Sequence, residues 1–599
     1  MKKLTFLVCF LFLITGLSLA QTNSVVLKDS SGTVIGQYNN IQSAYNAIPA
    51  TITMPYIIEI LAIYDCSLET YPISFTQRTG SSAVNTVTLR PAAGNTGEII
   101  TGTSTVNILN LEGADYIIID GRPGGVGTTP DLKIENLATG SGSNTVVLQN
   151  GATHNLIHYV HIINNSQNTA GPRALVFNTA ASGPVGNSNN LVTRCKIEGG
   201  RSGIGSPGTT AYPNDSNTVS YCEIFNWNYA GIWLLSGTMN FNVENNVFYQ
   251  TVGYNNTIVS GIIMSTMTGA TYNIKKNKFN NLLTASSSSS TIRGIYAAGP
   301  AAGCTFNIEN NFVSNMQDNL NAQTMTGIEL LGSNAYTANV YYNSVRIGGN
   351  HSGGTAGATT SAGIRIGASA LTLNMKNNIA VNTRTGGNVN HIGFALTSTG
   401  GTLNIDYNSY YSSSVTNGYN AWWGTVGYNN ISDYKTAATP NEQNTVFHNV
   451  TFVDSVNLHL AGSSIGDTLL KGTPIAGITT DIDDEIRNSI APYKGADEAN
   501  IPLFITKNTN NPVDYSLSQN YPNPFNPSTT IKFSIAKEGY VTLKIYNILG
   551  KEVAVLLNQK MGAGEYQYQY LANGLSSGIY FYELVSGNFR ETKRMILVK

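Results

Sequence analysis

The amino-acid sequence predicts an all-β chain whose larger part is a solenoid of stacked parallel strands. Three observations predict it. The phrase NVENNVF at 242–248 returns as NIKKNKF at Asn273, NIENNFV at Asn307, NVYYNSV at Asn339, NMKNNIA at Asn374 and NIDYNSY at Asn404. Gly-apolar pairs recur between the phrases, at Gly231, Gly261, Gly294, Gly327, Gly363 and Gly393. Only 11% of the 599 residues are charged and 60 are Gly, a composition suited to many short strands and turns rather than helices.

Residues 1–20 open with Lys2 and Lys3, run through an apolar stretch and end with Ser18 and Ala20 at the small positions a signal peptidase needs. Cleavage is expected between Ala20 and Gln21, with no cysteine placed to receive a lipid. No later run reaches the roughly 18 apolar residues of a membrane span. Residues 21–114 read as an N-terminal cap and first rungs. In NNIQSAYNAI, Ile41, Ala44, Tyr45 and Ile48 share one helical face behind the capping residue Asn40, and this helix is expected to plug the open end. The strands YIIEIL, TVTLRP and YIIIDG follow.

In the repeat region, 115–430, the apolar residue after the first Asn of each phrase serves as an anchor. Val243, Ile274, Ile308, Val340, Met375 and Ile405 lie 31, 34, 32, 35 and 30 residues apart, and weaker copies at Ile157, Val192 and Val219 make nine units. Phe241, Tyr272 and Phe306, two residues earlier, alternate with Asn in a strand pattern and point inward. Three residues after the anchors stand Asn246, Asn277, Asn311, Asn343, Asn378 and Asn408. They are expected to take the left-handed corner conformation and to bond rung to rung as a ladder. Cys195 and Cys222 hold the same position in earlier units, as a buried stack or a bridge. From each Gly to the next anchor the chain spends 12 to 14 residues, but from anchor to Gly 18 to 23, so variable loops rise on one side only. Rungs of this kind stack at about 4.8 Å. The pattern over 115–498 resembles the right-handed parallel β-helix family to which pectate lyases and many bacterial surface proteins belong. That resemblance implies a pectin-lyase-like fold and leaves activity open.

Residues 431–498 are read as last rungs and C-terminal cap. DIDDEIRNSIAPYKGADE resembles the closing segment of secreted β-helix proteins, D-x-D-G-x-x-R followed by G-A-D/Y-E, with Asp484 where the family has Gly. Asp481, Asp483, Asp484 and Glu485 offer oxygens to Ca²⁺ as a cofactor; surface acids paired with Arg487 are the alternative. Residues 499–513 form a polar linker. Residues 514–599 alternate short strands with Gly and Pro turns and predict a small immunoglobulin-like β-sandwich. With NYPNPFNPSTTIKFSI and GIYFYELVSGNFRETKRMILVK, this segment resembles the type A C-terminal sorting domain of the type IX secretion system. The resemblance implies a secreted or cell-surface protein whose partners are the translocon and its sorting peptidase.

Removing Lys2 and Lys3 takes the formal charge from −1 to −3, which leaves no basic patch for nucleic acid. Catalytic candidates are few. Glu244, Lys275 and Glu309 fall in one outward column, and two carboxylates two rungs apart approach the separation of an inverting glycosidase pair. Alternating signs in that column also describe a solvated, paired face. The NTD, GHG and RIK motifs of polygalacturonases and pectate lyases do not occur. His154, His158 and His161 lie on a strand, where this spacing does not converge on a metal. Aromatics are the stronger lead: Trp227, Tyr229, Tyr254, Trp422 and Trp423 fall on the variable side and are expected to stack sugar rings. The reading is a non-catalytic polysaccharide-binding or adhesive surface protein. A β-helix lyase or hydrolase and a passive structural protein are the alternatives.

Overall fold

The computed structural model describes residues 23–598 apart from 167, 169, 179–184, 268, 287–289, 317–321, 352–359, 388, 500–511, 573 and 574. The expected signal sequence with Ala20 and Gln21, and most of the linker, lie outside the described residues. The chain divides into two compact units, Met1–Glu498 and Ala499–Lys599.

Three parallel sheets wall the first unit, each rung adding one strand to each. The first sheet pairs the anchors consecutively, from Ile119 and Ile157 through Val192, Val219, Val243, Ile274, Ile308, Val340 and Met375 to Ile405. All ten are buried, as the alternation with outward Asn requires. The second sheet stacks Phe248 on Phe279 with ring centroids 4.5 Å apart. The third stacks Ile232, Ile262, Ile295, Ile328, Ile364 and Phe394. The recurring Gly has a steric cause. A Cβ on Gly231 would stand 2.8 Å from the Phe248 ring, and one on Gly261 2.5 Å from Phe279, so the second sheet's large side chains fill the space a third-sheet side chain would need.

The corner departs from expectation in one respect. Positive φ falls not on the ladder Asn but on the residue before it: Arg194, Tyr221, Asn245, Lys276, Asn310, Tyr342, Asn377 and Tyr407 all lie between 54° and 61°. Backbone bonds to the next rung, such as Arg194 N–H to the Ser220 carbonyl at 3.1 Å and Lys276 N–H to the Glu309 carbonyl at 3.0 Å, hold the conformation, and Arg, Tyr, Lys and Asn all occupy it. Asn is needed one place later for its side chain. Asn246 Nδ2 donates to Asn277 Oδ1 at 3.0 Å and to the Val219 carbonyl at 2.9 Å, and its Oδ1 accepts the Cys222 N–H at 2.9 Å. The ladder continues through Asn311, Asn343, Asn378 and Asn408. Cys195 and Cys222 are buried free thiols, and burial, with Cys222 alongside, raises the Cys195 pKa. A second ladder, on the outer face, joins Asn242, Asn273, Asn307, Asn339, Asn374 and Asn404.

The helix Ile41–Asn46 covers the first rung as expected. Asn40 caps it by accepting the Ser43 N–H at 2.8 Å, and Tyr45 meets Phe75 edge-on at 4.6 Å. The far end is closed by an unexpected helix, Ile431–Ala438, whose buried Tyr434 packs on Tyr410, Trp423 and Phe447. Glu442 ends the Asn ladder there, accepting from Asn408 at 3.4 Å, Tyr410 at 2.7 Å and Tyr434 at 3.0 Å.

The segment 470–498 is not an end cap but runs back along the corner between the first and second sheets. Tyr342 and Asn377 donate to the Thr473 carbonyl at 2.9 and 2.6 Å, and Asn310 donates to the Thr480 carbonyl at 3.0 Å. Arg487, expected at the surface, is buried. It pairs with Glu498 at 3.3 Å, donates to Asn310 Oδ1 at 2.7 Å and lies 3.9 Å over the Tyr342 ring. This joins the two halves of the D-x-D-x-x-x-R and G-A-D-E signature across the solenoid flank. Asp484 holds a φ of 68°, the conformation the family's Gly would supply.

The second unit is an antiparallel sandwich. Ser516–Leu517, Ser528–Ile535 and Gly564–Leu571 face a sheet of Gly539–Asn547, Glu552–Met561, Gly578–Ser586 and Phe589–Leu597. Phe533, Leu543, Tyr582 and Met595 share its core. Tyr582 ties the NYPNP turn down, its hydroxyl accepting the Asn520 N–H and donating to the Ser518 carbonyl, both at 2.8 Å.

Candidate functional site

The third sheet carries a run of aromatic and cationic side chains. On the side of its strands opposite the Ile column, Trp233, Ile263, Tyr296, Glu329, Arg365, Ala395 and Trp422 stack in register; Trp233, Tyr296, Arg365 and Trp422 keep partial exposure, whereas Ile263, Glu329 and Ala395 are buried. Trp233 and Tyr296 are thus two rungs, about 10 Å, apart, and Tyr296 and Trp422 four rungs, about 19 Å.

At the upstream end, Tyr229 lies 5.0 Å from Trp233, and the Arg201 guanidinium stands 4.5 Å from the Trp233 ring and 4.8 Å from Tyr229. Arg173 lies 5.8 Å from the same indole, flat over Gly205, where a Cβ would meet its chain at 2.1 Å. Burial and the neighbouring Arg201 hold the Arg173 pKa down to about 10. Mid-face, Arg293 lies 4.1 Å over Tyr296 and pairs with Glu329, which also takes Arg365 at 2.6 Å. Glu329 is wholly buried with one oxygen on each arginine, so it braces Arg293 and Arg365 across neighbouring rungs. Downstream, Trp422 packs edge-on against Tyr419 at 5.2 Å over Ala362, Ile392 and Ala395.

Of the aromatics expected to bind, Tyr229 and Trp422 are on this face. Trp227 is not: it is fully buried in the solenoid core, edge-on to Phe248 at 6.2 Å. Trp423 packs inward under the closing helix, 6.0 Å from Tyr434, because alternation turns it away from Trp422. Tyr254 sits in the preceding loop, bridged to Thr284. Trp233, Tyr296, Arg173 and Arg201 were missed.

Glu244, Lys275 and Glu309 are on the first sheet, in register as expected, with Lys275 paired to Glu309 at 3.0 Å. Two of the histidines meet acids from neighbouring rungs: His158 lies 3.4 Å from Asp120 and His161 3.0 Å from Glu198, while His154 stacks on Tyr116. Asp481 is buried and accepts the N–H groups of Asp483, Glu485 and Glu498 at 2.9, 2.8 and 2.9 Å. Asp483 pairs with Lys278 and His459, and Asp484 with Lys276, so these acids fasten the strap formed by 470–498 to the solenoid flank. Among the described residues no group of three or more His, Cys, Asp or Glu side chains is arranged to hold a metal ion.

Residues 519–599 match the secretion system C-terminal sorting domain. The sorting domain marks the chain for the type IX secretion system and for export to the cell surface or extracellular space. No curated protein and no solved structure matches the chain. Among the described residues no helix is long and apolar enough to cross a membrane.

Proposed function

We propose that this exported solenoid is a non-catalytic binder of extracellular polysaccharide, and that the outer face of its third sheet holds the polymer. The observation that carries the reading is the single column of Trp233, Tyr296 and Trp422, repeating flat apolar faces at multiples of the rung spacing. Arg201 and Tyr229 flank Trp233, Arg293 flanks Tyr296 and Tyr419 flanks Trp422, so each ring has a polar donor of the kind that fixes a hydroxylated ligand beside an apolar surface. The one carboxylate in this column among the described residues, Glu329, is bound by two arginines, which supports binding over bond cleavage. A glycan array probed with the secreted protein tests the reading, followed by reducing-sugar and unsaturated-product assays on every hit. Saturable binding to a polymer without product supports it. Product formation would move the assignment to a lyase or hydrolase, and an array without hits would leave a structural surface protein.

A further inference from the structure

The corner between the first and second sheets repeats one pair of cations. Lys276 and Lys278 stand two and four residues after the anchor Ile274, and Arg194 and Lys196 stand two and four after Val192, three rungs earlier in the same columns. Arg194 and Lys276 share the left-handed backbone, with φ of 54° and 55°, so their side chains leave the corner in the same direction.

What the downstream pair binds is visible in the same chain. Lys276 Nζ donates to Asp484 Oδ1 at 2.5 Å and to Thr480 Oγ1 at 3.0 Å, and Lys278 Nζ donates to Asp483 Oδ1 at 2.8 Å. The turn covers Lys276, whose side chain keeps 16% exposure. The same corner also holds the strap's backbone, for Tyr342, in the column of Lys276, gives its hydroxyl to the Thr473 carbonyl at 2.9 Å.

At the upstream pair no described residue plays the part of that turn. Arg194 is exposed, its guanidinium 5.0 Å from the Tyr221 ring and 6.0 Å from Tyr159, with no ion pair among the described residues. Lys196 reaches only Glu223, at 3.9 Å, and Glu223 already accepts the Tyr249 hydroxyl at 3.1 Å. An open pocket of about 320 Å³ lies here, lined by Tyr159, Arg194, Lys196, Tyr221 and Glu223. Tyr159 and Tyr221 occupy the column position of Tyr342 and bring hydroxyl donors of the kind that holds a peptide carbonyl downstream.

We propose that Arg194 and Lys196 form a docking site for an acidic peptide turn of a partner protein, one that presents two adjacent carboxylates as Asp483 and Asp484 do to Lys276 and Lys278. Two cations two residues apart match two carboxylates on one turn, and the flanking tyrosines match its backbone. A flexible glycan would use the charges but offers no peptide carbonyls to the tyrosine hydroxyls.

The probe is a labelled peptide of the strap turn, ITTDIDDEIRN, titrated into the full secreted chain and followed by fluorescence anisotropy. Saturable binding that weakens with salt is expected, falling tenfold or more in R194Q/K196Q and equally when the peptide carries D483N/D484N. The peptide variant reads the same contact without altering the protein, and both replaced protein side chains are solvent-accessible, so the melting temperature should hold. Three results would overturn the proposal: no saturable binding; loss in K276Q/K278Q but not in R194Q/K196Q, which would mean the peptide displaces the internal turn; or complete competition by a polyuronate at equal carboxylate concentration, which would assign the site to a glycan.

Discussion

Asn277 Nδ2 donates to Asn311 Oδ1 at 3.1 Å, and the same oxygen accepts the Asn277 backbone N–H at 3.0 Å. Asn311 Nδ2 donates back to the Ile274 carbonyl of that same rung at 2.8 Å and, on the other side, to Asn343 Oδ1 at 2.9 Å. One buried side chain therefore satisfies polar groups on three consecutive rungs, at a corner where water has no access to replace them.

Asn311→Ala should cost about 1–3 kcal/mol, since it strands buried donors and acceptors above and below. Asn307→Ala breaks only the outer ladder, to Asn273 and from Asn339, both at 2.8 Å. Asn307 is partly exposed, so water takes over and the loss should stay below about 1 kcal/mol. Denaturation of both variants checks the difference; equal losses would mean the two ladders carry equal weight.

The rungs were legible because a parallel solenoid puts equivalent residues in contact, so a repeat in sequence is a column in space. The binding face was only half legible. Trp233 follows Ile232 directly, and strand alternation alone would have turned it away from the core, as it turns the partly exposed Tyr296 and Arg365 after their own Ile residues. Trp227 precedes the strand Ala230–Leu234, where no period fixes its side, and it fell inward. The strap was hidden for a different reason: Lys276 and Asp484 are 208 residues apart and obey no repeat.

A chain ending at Glu498, the boundary between the two units, should still cross the inner membrane by the expected signal sequence and then accumulate in the periplasm. Cell fractionation with surface protease treatment reads this directly. Normal surface levels of the truncated protein would show that the sorting domain at 519–599 is dispensable for export.

Glu442 gives the closing end a pH dependence. Burial pushes its pKa up to about 7, offset in part by bonds from Thr445, Tyr410, Tyr434 and Asn408. In the unfolded chain it titrates near about 4.3, so the native end holds the proton more tightly. Its contribution is complete below the unfolded value and is lost as pH rises toward 7. Glu442→Gln should therefore flatten the fall in stability between about pH 4.5 and 7, by up to about 3 kcal/mol. Hydrogen exchange of the last rungs across that range checks it; parallel profiles would show that Glu442 stays ionised throughout.

Binding on the third sheet makes different demands on three tryptophans. Trp227→Ala empties a large volume from the core beside Phe248 and should cost about 3–5 kcal/mol, lowering stability whatever the ligand. Trp233→Ala and Trp422→Ala remove partly exposed rings and should leave the fold in place. Each stacking contact is weak alone, about 0.5–1.5 kcal/mol, but rings fixed six rungs apart on one rigid sheet act together on a chain long enough to span them. A polymer should thus lose about tenfold or more in affinity when both are replaced, whereas an oligomer too short to reach from one to the other should lose only the contribution of the ring it touches. Titration of the double variant with a long polysaccharide and its short fragments, beside melting curves of all three replacements, separates the cases. If polymer and fragments weaken by the same factor, the rings act singly and the column is not one continuous site.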